Sequence, residues 1–386
     1  MTFLPDLEGS RDSFFGKLRR VEWGMVFMIA MISVVGTILL FGAAGAQWEP
    51  WAGDHVIRFC FVTCLMLVVA TVDVRFWYYF AYPAYIAVFV LLIGVELFGK
   101  VALGAQRWLE IGPIRIQPSE FMKIALILAL ARFYQDADSD RMWTLRAHLI
   151  PLLMLAAPAA LITLQPDLGT AIMVAGVGAT MVILAGLSWW YIAAAGAAVA
   201  SFALIAFFGF MAEFQKNRIL TFLDPSRDPL GTGYHITQSK IAIGSGGLFG
   251  VGYMQGTQSQ LDFLPERHTD FVFAMLLEEF GMVGGVFVLG LYMAAMAYGI
   301  SISIGCRHVF GKFLAAGVTM LMFIYVGINA GMIMGLMPVV GEPLPFLSYG
   351  GSVMLSLMFG IGLVQNARVY RDKSLGSGFK SSSRLR

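Results

Sequence analysis

The stretch EWGMVFMIAMISVVGTILLFGA, residues 22–43, decides the fold. After Glu22 it carries no charged side chain, and its length suits a hydrocarbon core about 30 Å thick, which roughly 20 apolar helical residues cross. Similar runs follow at about 55–72, 76–97, 118–134, 147–165, 168–186, 189–211, 270–300, 312–337 and 346–368. Composition agrees with this reading. Hydrophobic residues make up 58% of the 386 positions and charged residues 13%, about half the charged share of a soluble domain. A single aqueous core could not hide that much apolar surface; lipid can. The expected fold is an all-α polytopic membrane protein of about ten transmembrane helices.

Lys and Arg set the expected orientation. Arg11, Lys17, Arg19 and Arg20 precede the first span, and Arg132, Arg141 and Arg146 follow the fourth. Arg307 and Lys312 follow the eighth, and Arg368, Arg371, Lys373, Lys380, Arg384 and Arg386 follow the last. With ten spans all of these lie on one side, so both tails (1–21 and 371–386) are expected in the cytoplasm, flanking a membrane domain at 22–370. Residues 47–55, between the first two spans, hold no Lys or Arg, as an outer loop should. The basic tail leads into a full-length span rather than a short apolar stretch with a cleavage site, so that span reads as a signal anchor. Cys60, Cys64 and Cys306 form no disulfide framework and no zinc spacing, and read as small hydrophobes.

Two outer segments break the charge rule. One contains Lys100, Arg107, Arg115 and Lys123; the other, about 212–269 between helices seven and eight, contains Lys216, Arg218, Arg227, Lys240 and Arg267. Basic residues on the outer face oppose insertion, so something else selects them: an anionic ligand there, or pairing with Glu110, Glu120, Asp224, Asp228 and Glu266. The longer segment is too long for a plain connection. It carries turn chemistry at Asp224-Pro225 and Asp228-Pro229, aromatic residues throughout, and helical spacing at Ile236, Lys240 and Ile243. It reads as a large structured periplasmic loop that lines a site.

Charges at span ends complete the candidate site. Glu120 and Lys123 share one helix face at the start of the fourth span. Asp270 opens the eighth, and Glu278 and Glu279 lie two turns deeper, about 12 Å along the axis. A carboxylate at that depth costs about 2.5–3.5 kcal/mol, so each needs a partner, water or a function. For Asp270 the bland alternative is a helix cap. The run Gly244-Ser245-Gly246-Gly247-Leu248-Phe249-Gly250 is not a phosphate loop, because Phe249 stands where the last glycine of GxGxxG belongs and no Walker lysine follows. Ser348-Tyr349-Gly350-Gly351-Ser352 lacks the spacing of a nucleophile elbow. With no nucleotide site, a substrate handled outside the cytoplasm must arrive already activated.

Several stretches together resemble the SEDS family (shape, elongation, division, sporulation). They are Gly104-Ala105-Gln106-Arg107-Trp108-Leu109, Gln117-Pro118-Ser119-Glu120-Phe121-Met122-Lys123, and Gln165-Pro166-Asp167-Leu168-Gly169-Thr170. The outer loop adds Asn217-Arg218-Ile219, Phe222-Leu223-Asp224-Pro225, Asp228-Pro229-Leu230-Gly231-Thr232-Gly233-Tyr234-His235 and Gln238-Ser239-Lys240. Phe263-Leu264-Pro265-Glu266-Arg267-His268-Thr269-Asp270-Phe271 and Pro343-Leu344-Pro345-Phe346 complete the match, and Arg267 before His268 is similar to the elongation branch.

The resemblance implies a peptidoglycan glycosyltransferase of the bacterial inner membrane. Such an enzyme polymerises lipid II into β-1,4 glycan strands for cell elongation and rod shape. Its partners would be a class B penicillin-binding protein that supplies transpeptidation, other elongation-complex membrane proteins, and membrane lipid; nothing points to nucleic acid. By the same resemblance, Asp270 takes the proton of the acceptor 4-hydroxyl as general base. Arg107, Lys123, Arg218 and Lys240 face the diphosphate, Glu120 holds Lys123, Trp108 packs on sugar or lipid, and Asp167 and His268 line the substrate site. A divalent cation, magnesium or manganese, could assist the diphosphate, though no ligand cluster shows one. Two other functions fit the same spans: a lipid II flippase, which needs paths open alternately to both faces, and a non-catalytic scaffold for the penicillin-binding protein.

The orientation is directly testable with single cysteines in a background lacking Cys60, Cys64 and Cys306. An impermeant maleimide applied to intact spheroplasts should label Thr257→Cys and spare Ser139→Cys. The reverse pattern would invert the topology and move the site to the cytoplasm.

Overall fold

A computed structural model describes residues 13–375, apart from 99, 103–104, 112–113, 138–141, 166, 210–212, 229–230, 262 and 265. Each apolar run carries a helix. After the short α1 (Phe14–Arg19) come α2 (Trp23–Ala43), α3 (Ala52–Thr71), α4 (Val74–Phe98), α5 (Pro118–Asp136), α6 (Leu145–Leu164), α7 (Leu168–Leu184) and α8 (Trp189–Gly209). The chain then forms α9 (Glu213–Leu223), a 3-10 turn at Pro225–Arg227, α10 (Thr232–Gly246) and α11 (Thr257–Gln260). The last three helices are α12 (Val272–Gly305), α13 (Val309–Ile333) and α14 (Gly351–Val369). Among the described residues seven helices are long and apolar enough to cross a membrane: α2, α3, α4, α6, α12, α13 and α14. The chain is a multi-pass membrane protein. Helix α7 is shorter, and α5 carries Glu120, Lys123, Arg132 and Asp136.

The bundle turns large apolar side chains outward, among them Phe27, Phe61, Ile86, Leu153 and Phe287, where lipid would meet them. Inside, α12, α13, α14 and α5 are the most enclosed, with Tyr292, Tyr325 and Phe310 fully buried. Lipid gives no hydrophobic drive between helices, so close packing does the work, and small residues permit it. A Cβ on Gly362 would sit 2.9 Å from Val69 on α3, and one on Gly317 would sit 2.8 Å from Ile127 on α5.

Three features depart from the sequence reading. The basic segment after α4 contains a small antiparallel sheet of β1 (Lys100–Ala102), β2 (Ala105–Ile111) and β3 (Ile114–Ile116), in which Glu110 stands opposite Arg115. Its strands are too short, and too rich in charge, to stand out from a loop by pattern alone. The tenth apolar run becomes helical only at Gly351, not near 346: Pro343, Pro345 and the positive φ of Phe346 (67°) keep 334–350 non-helical while Leu344, Phe346 and Leu347 are buried. The eighth run is longer than expected and is broken at Gly281 (φ 66°, ψ −166°).

The break at Gly281 explains the glycine-rich stretch. It frees the carbonyls of Glu278 and Glu279, which accept from the amides of Val251 (3.0 Å) and Gly252 (3.1 Å). It also frees the amides of Met282 and Val283, which donate to the carbonyls of Gly247 (3.0 Å) and Leu248 (3.1 Å). Away from water these groups have no other partners, so the loop must lie directly against the helix. Only glycine fits there: a Cβ on Gly246 would stand 1.9 Å from the Leu277 carbonyl oxygen, and one on Gly250 (φ 82°) 2.1 Å from that of Glu279. The glycine-rich segment is therefore riveted to α12 by backbone.

Gly250→Ala should accordingly lower the thermal unfolding midpoint in detergent by several degrees, since overpacking at a rigid contact costs about 1–3 kcal/mol. Gly244→Ala, where a Cβ meets nothing within 4 Å, should leave it unchanged. Equal midpoints for the two variants would remove the rivet.

Candidate functional site

Chain order scatters the candidate residues, but helix ends gather them. Asp270 lies two residues before α12 and is half-buried. It does not cap that helix: the N-cap is Phe271, without a side-chain cap hydrogen bond. No donor among the described residues bonds the Asp270 carboxylate. Instead Oδ2 lies 3.3 Å from where a Cβ on Gly341 would be, and Gly341 has φ 79°. Burial, and then the negative charge of Glu266, push its carboxyl up to about 6. A carboxylate with a raised pKa and no bonded partner is a proton acceptor in waiting.

Beneath it lies the 334–350 segment. Asn329 of α13, fully buried, donates from Nδ2 to the carbonyl oxygens of Asp270 and Glu342, 2.8 Å each. The Glu342 side chain turns to α7, where Thr170 Oγ1 stands 3.0 Å from its Oε1 and 2.9 Å from Oδ2 of Asp167. A hydroxyl has one proton to give, so both contacts are hydrogen bonds only if one carboxyl is protonated. Burial holds Glu342 well above the ordinary carboxylate range, which makes it the protonated one. Asp167 is the N-cap of α7, accepting from Thr170 N, and it also receives Gln117 Nε2 (3.4 Å). The stretch Gln165–Thr170 is thus structural at each position the contacts reach: Gln165 Nε2 donates to Leu92 O (2.9 Å), and bare Gly169 lets Val340 pack against α7.

Lys123 differs most from the diphosphate contact expected of it. Its ammonium is fully buried and directed at Glu120 Oε1 (2.7 Å), Tyr325 OH and the Met173 sulfur (3.9 Å). Tyr325 closes the ring by donating to Glu120 Oε2, and Ser356 Oγ lies 3.5 Å from the same oxygen. All three ammonium hydrogens are engaged, so Lys123 reaches a ligand only if this cluster opens. The predicted Glu120–Lys123 pairing is present.

The remaining candidates lie apart from this cluster. The His268 ring stacks on Trp51 (centroids 4.3 Å apart, 9° between planes) and leans on Tyr349, whose amide donates to His268 O (2.9 Å). Arg58 donates to both Tyr349 OH (2.8 Å) and Asp54 (3.0 Å). Lys240 is exposed on α10 with its Nζ over Gly335. Trp108, half-buried, lies on β2. Arg107 lies on β2 and Arg218 on α9; their side chains fall outside the described residues. Glu278 and Glu279 belong to the scaffold: Glu278 accepts from the amides of Gln258 (2.8 Å) and Ser259 (3.0 Å), holding α11, and Gln260 Nε2 lies 3.4 Å from Glu279. Among the described residues no three His, Cys, Asp or Glu side chains are placed to hold a metal.

The cell cycle protein family FTSW_RODA_SPOVE matches residues 20–373. The chain belongs to this family. It is 46% identical to the peptidoglycan glycosyltransferase MrdB of Escherichia coli K12 over 94% of this chain and 97% of that one. Its fold is similar to a chain of a peptidoglycan synthase complex, solved to show how polymerization and crosslinking are coordinated (TM-score 0.78, 31% identity, 92% of this chain and 99% of that one). It is also similar to the rod shape determining protein RodA of Thermus thermophilus (TM-score 0.69, 29% identity, 92% and 98%).

Sequence reasoning passed over Asn329, Glu342, Trp51 and Arg58. Asn329 had a signal, being an amide inside an apolar span. Glu342 sits among glycine and prolines, where a charge usually marks solvent.

Glu120→Gln would strand a buried ammonium, and breaking such a pair costs about 3–5 kcal/mol. The variant should lose much of its folded yield and unfold at a clearly lower temperature, whereas Ser356→Ala should lose little. A Glu120→Gln protein as stable as the parent would show that Lys123 is not locked as described.

Proposed function

We propose that this protein is a peptidoglycan glycosyltransferase that polymerises lipid II on the outer face of the bacterial inner membrane, with both termini in the cytoplasm. The observation that carries the reading is Asp270: half-buried, raised to about 6, left without a bonded donor among the described residues, and excluded as a helix cap. Family membership and the glycosyltransferase name of the E. coli relative support it.

In the proposed reaction Asp270 takes the proton of the acceptor 4-hydroxyl. The oxygen forms a bond to the anomeric carbon of the donor as the bond to the polyprenyl diphosphate breaks. Attack opposite the α-linked leaving group gives the β-1,4 product, and the electron pair departs on the diphosphate. The charge developing there needs cations. Arg107, Arg218 and Lys240 are proposed to supply them from the outer segments, with Lys123 contributing from below only if it leaves Glu120. Trp108 and His268 are proposed to line the sugar path, the latter held flat by Trp51. Asp167 is proposed to act at one remove, by fixing Thr170 and Glu342. The partner is proposed to be a class B penicillin-binding protein docked on an exposed apolar helix face, within an elongation complex that shapes the rod.

General-base catalysis is worth about 10²–10⁴-fold. Asp270→Asn, which keeps the shape but accepts no proton, should abolish glycan formation from lipid II in detergent while folding and lipid II binding persist. The parent enzyme should lose activity as pH falls through about 6, because protonated Asp270 is no longer a base. An active Asp270→Asn protein would sink the assignment.

A further inference from the structure

A base must be held to within a fraction of an ångström, since a shift near 1 Å can cost about a hundredfold. Yet no side chain among the described residues bonds the Asp270 carboxylate. Its backbone is what is tied. The single amide nitrogen of Asn329 reaches the carbonyls of Asp270 and Glu342 at 2.8 Å each. It thereby joins the segment that carries the carboxylate to the segment that forms its floor. That floor is Gly341, the residue before Glu342, where a Cβ would stand 3.3 Å from Asp270 Oδ2 and where φ is 79°. We propose that Asn329 is the positioning residue for Asp270: its two hydrogens clamp both chains in the register that seats the carboxylate over Gly341.

The chemistry is specific to asparagine at this depth. Two N–H hydrogens on one atom can serve two carbonyls, which no hydroxyl can do. Aspartate, of the same shape, would turn an acceptor toward two acceptors. Asn329 is fully buried, so water cannot replace the contact. The proposal rests on Asp270 as the base. The titratable group whose charge acts on that carboxylate is Glu266 in its own segment; His235 of α10 stacks on the neighbouring Phe271 (5.9 Å), and the Glu342 side chain turns away to Thr170.

The test uses the purified full-length chain with lipid II as the probe. Asn329→Ala and Asn329→Asp should lower kcat about tenfold to hundredfold with KM changed less than about threefold. The acidic limb of their pH profile should move below the parent's, as the carboxylate leaves its half-buried seat for fuller contact with water. Gly341→Ala, which crowds the same seat with Asn329 intact, should reproduce the kcat loss. If the Asn329 variants fold poorly, Gly341→Ala still decides: full activity in it overturns the proposal. So does an Asn329→Ala protein with parental kcat, or one whose loss only tracks its folded fraction while the pH profile stays put. An active Asp270→Asn protein would instead sink the base assignment beneath it.

Discussion

The site depends on one constraint: residues 342 and 344–348 of the non-helical chain between α13 and α14 are buried among helices, where backbone N–H and C=O groups find no water. Each must be met by protein, and the partners meeting them are what assemble the site. Ser348 Oγ accepts the Leu344 amide (2.9 Å), and Tyr292 of α12 donates to the Pro345 carbonyl. Asn329 of α13 takes the Glu342 carbonyl, and the Tyr349 amide reaches the carbonyl of His268. Gly36 of α2 leaves room for the Leu347 backbone, where a Cβ would stand 2.5 Å from its oxygen. Satisfying one buried segment thus brings α2, α12, α13 and the approach to α12 to a single point, and Asp270 is carried there with them.

The charges sort themselves by the same rule. Glu120 and Lys123 neutralise each other inside the bundle, with Tyr325 completing the ring. Asp167 and Glu342 share one threonine hydroxyl, which requires one of them to hold a proton. Asp270 alone among these acids is left with a carboxylate that no described donor bonds. The other acids are consumed by partners, and the unbonded carboxylate is what supports the proposal of Asp270 as the base. With Lys123 engaged, the proposed reaction leaves a departing diphosphate to the cations proposed for it in the basic segments, Arg107, Arg218 and Lys240.

Apolar run length located the long helices, seven of which among the described residues are long and apolar enough to cross a membrane, because spanning lipid demands it whatever the neighbours do. The i, i+3 spacing of Glu120 and Lys123 gave their pairing, since helix geometry fixes both side chains on one face. The glycines of Gly244–Gly250 were recognised as something other than a phosphate cradle, but their reason lay in Gly281, about thirty residues on. That is a contact between two backbones, and composition carries no trace of it.

The sequence by itself determined a membrane bundle, its family motifs and the candidacy of Asp270, because these follow from local composition and spacing. Only the tertiary structure decided that Asp270 is not a cap, that Lys123 is engaged, and that Asn329 binds two segments. The physical reason is that hydrogen-bond partnership among buried groups is settled by long-range approach: Asn329 lies 59 residues from Asp270 in the chain and Lys123 lies 202 from Tyr325. Residue type says what a side chain can bond, and only the packed helices say which partner comes within reach.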